Sequence, residues 1–232
     1  MALTAPPSLP GHALVIAIVG RTGKLGAALA RGWSRAGYSV VIGSRDARRA
    51  AAAASALAAE TGGTVTGMDN LGAATAGDIV VVTVPFAHQR RILEEIRPVV
   101  GGKIVVDTTV PLMPPKVARV QLPAEDSAAV AGQAILGAEV TVVSAFHNVA
   151  AHKLAAGSAD CDVLVFGDSK VARARVVSLV EALGLRGLHG GVLANSTAAE
   201  ALTSVLVFIN RLYQADGAGL RIVGELTPPK DA

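Results

Sequence analysis

Three glycines raise the first chemical question. The stretch "VIAIVGRTGKLGAALARG" runs an apolar segment into Gly20, Gly23 and Gly26 and then into a helical pattern. The spacing is G-x-x-G-x-x-G rather than G-x-G-x-x-G, but the physical demands are the same. Gly20 turns the chain sharply out of a strand, Gly23 lets bare backbone approach a pyrophosphate, and Gly26 lets the next helix pack closely on the strand. The N–H groups that open that helix then face the phosphates. A tight structural turn would use such glycines too. Their place between a strand and a helix points to a dinucleotide.

A second cluster follows the next apolar run: "VVIGSRDARR", with Ser44, Arg45, Arg48 and Arg49. Chains that bind the unphosphorylated dinucleotide usually carry Asp or Glu here, to accept from the ribose hydroxyls. A carboxylate would repel a 2′-phosphate. A hydroxyl beside a guanidinium binds one through charge-assisted hydrogen bonds. Ser44 and Arg45 therefore predict NADP(H), and Thr22 in the first turn can add a hydroxyl. Arg48 and Arg49 read equally well as helix-surface charges, and Asp46 reads as a helix cap.

Hydride chemistry belongs at the carboxyl edge of the sheet. "TVPFAH", "DTTVP" and "SAFHNVAAH" leave that edge and supply Thr83, Val84, Pro85, His88, Thr108 and His147. His147 is the candidate acid or base. It serves equally as a ligand-orienting group, and a structural role stays open. His152 and His189 read as structural. No Tyr-x-x-x-Lys pair and no Lys-x-x-Asn motif on a helix after the nucleotide segment accompanies these residues. No catalytic residue is therefore certain. A cradle with small apolar walls and no evident proton donor suits hydride exchange with a second planar carrier, the protein supplying orientation.

These residues need a scaffold, and the chain alternates strand-like and helix-like runs, as a parallel sheet requires. Of its 232 residues 51% are hydrophobic but only 3% aromatic. Ala, Val, Leu and Ile supply that mass, as in strands buried on both faces. The expected architecture is α/β, a Rossmann-type doubly wound parallel sheet with a small C-terminal α/β domain. Residues 1–12 read as a flexible leader, 13–145 as the NADP-binding domain, and 146–232 as a smaller domain covering the cleft. The last helix, from Asn195, is apolar on most faces and reads as buried, here against a second subunit. A net charge of +3 is too small to argue for nucleic acid. One cysteine, Cys161, rules out an internal disulfide and a multi-thiolate metal site, and fits a reducing cytoplasm. No metal site is expected. The segment Ala13–Val19 lacks the basic flank of a signal peptide, and no run approaches the ~20 apolar residues of a membrane span.

In order along the chain, "IAIVGRTGKLGAALA", "VVIGSR", "VVVTVPFAH", "VVSAFHNVAAHKL", "DVLVFGD" and "LANSTAAEALTSVLVFIN" resemble the F420H2:NADP oxidoreductases. The likeness covers about Ala13 to Leu220. It implies hydride transfer between NADP(H) and the deazaflavin coenzyme F420, bound in the cleft between two domains. By the family pattern, Thr22, Gly23, Lys24 and Leu25 line the pyrophosphate, while Ser44, Arg45 and Arg49 hold the 2′-phosphate. Val84, Pro85, His88 and Ala151 lie along NADP. His147, Asn195 and Ser196 lie near F420. The family also implies a homodimer or larger homo-oligomer. Arg21 replaces a usual glycine, and Asn148-Val149-Ala150 replaces Thr-Ile-Pro. The residues alone also allow an NADPH-dependent reductase of a free flavin or another planar acceptor, or a non-catalytic NADP-binding protein.

Overall fold

The protein is described by a computed structural model that covers residues 14–20 and 23–227. The expected leader over 1–12 and Thr22 lie outside the described residues. Eight strands form one sheet: β1 (Val15–Val19), β2 (Ser39–Ser44), β3 (Val65–Asp69), β4 (Ile79–Val82), β5 (Ile104–Asp107), β6 (Thr141–Ser144), β7 (Asp162–Phe166) and β8 (Arg186–Gly191). Their order is β3-β2-β1-β4-β5-β6-β7-β8. The first six are parallel.

The helices are α1 (Lys24–Arg35), α2 (Ala47–Thr61), α3 (Asn70–Ala76), α4 (Phe86–Ile96), α5 (Ala128–Leu136), α6 (Ala151–Ala155), α7 (Lys170–Glu181) and α8 (Ser196–Leu212). They cover both faces of the sheet, so each central strand buries both of its sides. In β1, Ile16 and Ile18 join the core under α1 and α2, while Ala17 and Val19 join the core under α4. The doubly wound α/β architecture is as expected.

Three local features have physical reasons. β5 stops at Asp107, three residues before Val110, because the Asp107 carboxylate accepts the Thr109 N–H and turns the chain. β3 and α3 carry no strong sequence signal, being short and interrupted by glycine. Gly67 stands where a Cβ would lie 2.3 Å from the Ala50 backbone of α2, so this edge strand needs a glycine to let the helix down onto it. Ser127 caps α5, accepting from the Val130 N–H.

The expected boundary at 145/146 falls where strand direction changes. β7 is antiparallel to β6, and the two meet through one pair, Ser144 with Phe166. These are the last residues of both strands, so Asp162–Val165 runs past the carboxyl end of β6. β8 lies parallel beside β7. The C-terminal segment thus continues the same sheet as a wall standing above its carboxyl edge.

Candidate functional site

Because β1, β2, β4, β5 and β6 share one direction, their exits lie on a single edge. Gly20, Ser44, Thr83, Asp107 and His147 are brought there together. Gly20 has φ +113°, and a Cβ on it would stand 2.3 Å from Val84 Cγ1. It therefore needs glycine on conformational and on steric grounds. Gly26 faces Thr83, with 2.6 Å between a built Cβ and Oγ1, and draws α1 onto the end of β4. Gly23 is the N-cap of α1, with no side chain to consume its free N–H groups. Lys24 is exposed and Leu25 half-buried. The cradle therefore has the bare backbone and open helix start that a pyrophosphate needs. Thr83 adds a buried hydroxyl with no hydrogen-bond partner among the described residues.

At the end of β2, Ser44 is half-buried, and Arg45 and Arg49 are exposed. Ser44 Oγ accepts the Asp46 N–H at 3.2 Å. Asp46 caps α2, accepting from the Arg48 and Arg49 N–H groups, and it pairs with Arg49 at 3.3 Å. Its carboxylate is thus committed to the helix and to Arg49. A hydroxyl beside an exposed guanidinium, that of Arg45, is an arrangement that can bind a phosphate.

Val84, Pro85 and His88 lead from β4 into α4, with Val84 buried and the other two exposed. Ala151 opens α6, which packs against α1. That contact carries the segment after His147 back over the helix of the glycine turn. His147 is buried. Its Nε2 lies 2.8 Å from Ser144 Oγ, its ring is 6.4 Å from that of Phe166, and burial lowers its pKa to about 4. It is therefore neutral at physiological pH. The backbone here is clamped to α8. Thr203 Oγ1 donates to the His147 carbonyl, and Asn148 Nδ2 donates to the Ala199 carbonyl at 2.9 Å.

Asn195 closes the 3-10 turn that follows β8 and is exposed, with Nδ2 donating to the Gly190 carbonyl. Ser196, in contrast, is fully buried. Its hydroxyl lies 2.7 Å from Ser127 Oγ and donates to Glu200 at 3.2 Å. It holds the start of α8 from beneath.

Four supporting residues escaped the sequence reading. Asn70, fully buried, accepts the Gly20 N–H at 3.2 Å and ties the glycine turn to α3. Glu200, also buried, accepts the Ala128 N–H at 2.7 Å, the Ala129 N–H at 3.2 Å and the Ser127 hydroxyl at 3.0 Å. Gln89 Nε2 links Asp107 Oδ2 to the Ala128 carbonyl. Burial pushes the Asp107 carboxyl up. Burial raises Glu200 too, against its backbone donors, and the charge of Asp107 adds to the rise. This network joins α4, on the His88 side, to α5 and α8, on the Asn195 side. One signal for it was legible: Glu200 is the one charged residue in the apolar run "STAAEALTSVLVFIN".

Residues 15–111 match the family model described as NADP oxidoreductase, coenzyme F420-dependent. The chain is 36% identical over 217 residues to an F420-dependent NADP reductase of Methanothermobacter thermautotrophicus, covering 89% of this chain and 94% of the relative. It is 34% identical over 218 residues to one of Methanocaldococcus jannaschii, covering 89% and 97%. A solved structure from Arthrobacter sp. FB24, described as a candidate F420-dependent NADP reductase, superposes with a TM-score of 0.76 at 26% identity, covering 90% of this chain and 99% of that one.

Proposed function

The chain belongs to the family of F420-dependent NADP reductases, and from that premise we propose how its residues divide the work. The reaction is hydride transfer between NADP(H) and coenzyme F420. NADP(H) supplies or accepts the hydride at its nicotinamide. Gly20, Thr22, Gly23, Lys24 and Leu25 hold its pyrophosphate. Ser44, Arg45 and Arg49 hold its 2′-phosphate, with Arg49 leaving Asp46 to do so. Val84, Pro85, His88 and Ala151 line the dinucleotide. His147 and Asn195 face F420, and Ser196 supports them from below. The neutral imidazole of His147 orients the deazaflavin by hydrogen bond. Residues 13–145 act as the NADP half and 146–232 as the wall on the F420 side.

The observation that carries this reading is the carboxyl edge itself. A glycine turn fitted to a pyrophosphate and a serine–arginine pair fitted to a monoester share that edge with His147. A homodimer is part of the same proposal. Val205, Phe208 and Leu212 are exposed on α8 at spacings of three and four, one apolar stripe of a helix. A cytoplasmic location also belongs to it, since Cys161 is a buried free thiol.

The test mixes the protein with NADPH and F420, then with FMN, then with no acceptor. Bleaching of the deazaflavin absorbance, faster than any FMN reduction, is expected. NADPH binding without turnover of either acceptor would overturn the proposal.

A further inference from the structure

The segment Ser144–Asn148 holds a side-chain pair of which the functional reading uses only His147. Ser144 is fully buried at the end of β6. Among the described residues its hydroxyl has one hydrogen-bond partner, His147 Nε2 at 2.8 Å. Nδ1 of the same imidazole makes no hydrogen bond among the described residues, yet it is not one of the fully buried unpartnered atoms, so it reaches the surface of the cleft. Between the two lies Phe146, with φ +69°. A bulky residue in the left-handed region is a backbone outlier that the surroundings must hold. They do so here: the Phe146 ring is buried and meets Trp33 edge-on at 5.9 Å, and Trp33 Nε1 donates to the Leu179 carbonyl at 2.9 Å. The reversal at Phe146 folds His147 back over Ser144.

Counting hydrogens then selects a tautomer. A neutral imidazole carries one N–H and one bare nitrogen. If Nε2 carried the hydrogen, it would donate to Ser144 Oγ, and the serine hydrogen would be left buried with no acceptor among the described residues, at a cost. If Ser144 donates to Nε2 instead, the fully buried hydroxyl hydrogen is placed, and the imidazole hydrogen sits on Nδ1, which is not among the fully buried unpartnered atoms. That nitrogen is the one without a partner among the described residues.

We infer that Ser144 is a positioning residue that fixes His147 as its Nδ1–H tautomer, so that the imidazole presents a hydrogen-bond donor to an acceptor atom, a carbonyl oxygen or a ring nitrogen, of the planar hydride carrier. The inference rests on the proposal that His147 lies beside F420. It adds the direction of the hydrogen bond and the residue that sets it. Burial keeps the imidazole neutral, so the device sets the tautomer without adding a charge. A donor at this point attracts electron density as the ring accepts a hydride.

The experiment labels the full-length protein with 15N-histidine. The chain has five histidines, and His147→Ala assigns the relevant signals. At neutral pH the His147 Nδ1 signal is expected in the protonated range and Nε2 in the bare range. Ser144→Ala should move both toward the opposite tautomer and raise the F420 KM about ten-fold, with the NADPH KM unchanged. Ser144→Thr, which keeps the hydroxyl, should restore both readouts. A protonated Nε2 in the unmodified protein overturns the inference without any variant. So does an unchanged F420 KM in Ser144→Ala when His147→Ala raises it. If His147→Ala leaves the F420 KM unchanged, the placement of His147 beside F420 fails, and the 15N spectrum still decides the tautomer.

Discussion

Gly20 and Val84 are packed so closely that a methyl group on the glycine would lie 2.3 Å from Val84 Cγ1. The two residues follow β1 and β4, which pair in parallel through Val19 and Val82. The strands therefore lock the glycine turn and the segment after β4 into one surface. Gly20→Ala meets a steric clash and a φ of +113° together. It should cost about 1–3 kcal/mol of stability from overpacking and weaken NADPH binding. Denaturant unfolding and fluorescence titration with NADPH check both. Unchanged midpoints and affinity would show that the turn relaxes freely.

Ser44 and Arg45 stand at the end of β2 with the nearby Asp46 carboxylate committed to capping α2. Arg45→Glu should weaken NADPH binding about ten- to a hundred-fold, the range for losing a hydrogen bond to a charged group. NADH binding should change little. Calorimetry with both dinucleotides measures the ratio, and equal losses for the two would remove Arg45 from the phosphate site.

Glu200 meets Ala128 N–H through one carboxylate oxygen and Ala129 N–H through the other. A glutamine has only one acceptor oxygen, so Glu200→Gln turns an NH2 group against a buried backbone donor. The expected loss is about 1–3 kcal/mol at neutral pH, read as a lower urea midpoint with an unchanged slope. A neutral result would mean that the two helix N-termini are held by packing alone.

His147 gives the protein a dependence on acid. Its native pKa is lowered to about 4 by burial, against an ordinary 6.5. The native state thus binds this proton less readily than the unfolded chain. The stability tied to the neutral ring is complete above pH 6.5 and is lost as pH falls through 4. The loss is about 3 kcal/mol. Thermal unfolding of the wild type and His147→Gln between pH 7 and pH 4 should diverge, with the variant showing the flatter profile. Parallel profiles would place the titration elsewhere.

Much of this molecule is written in local pattern. The glycine turn, the Ser44–Arg45 exit and the apolar strands are legible because each depends on a residue type beside its neighbours: a glycine after a strand, a cation where an acid is usual, β-branched runs. β3 and α3 are not, because their signals are tertiary. Gly67 is small to admit the α2 backbone, and Asn70 is polar to bind the Gly20 N–H fifty residues away. Ser196 shows the same limit from the other side. A serine opening a helix reads as a surface group, yet here it is buried by partners from α5 and from one turn further along α8. Spacing along the chain does not reveal which partner arrives from a distance.

The strand order also governs how such a chain is made. β1 has β2 on one side, but its other side is filled by β4, and the Val15 N–H is met by Asp78, 63 residues downstream. Closing such loops forfeits chain entropy before any contact rewards it, so refolding should take on the order of milliseconds to seconds. During synthesis one flank of the most apolar early segment waits, unpaired, until Val82 has emerged from the ribosome. That interval is when a chaperone or a second nascent chain has its best opportunity to bind.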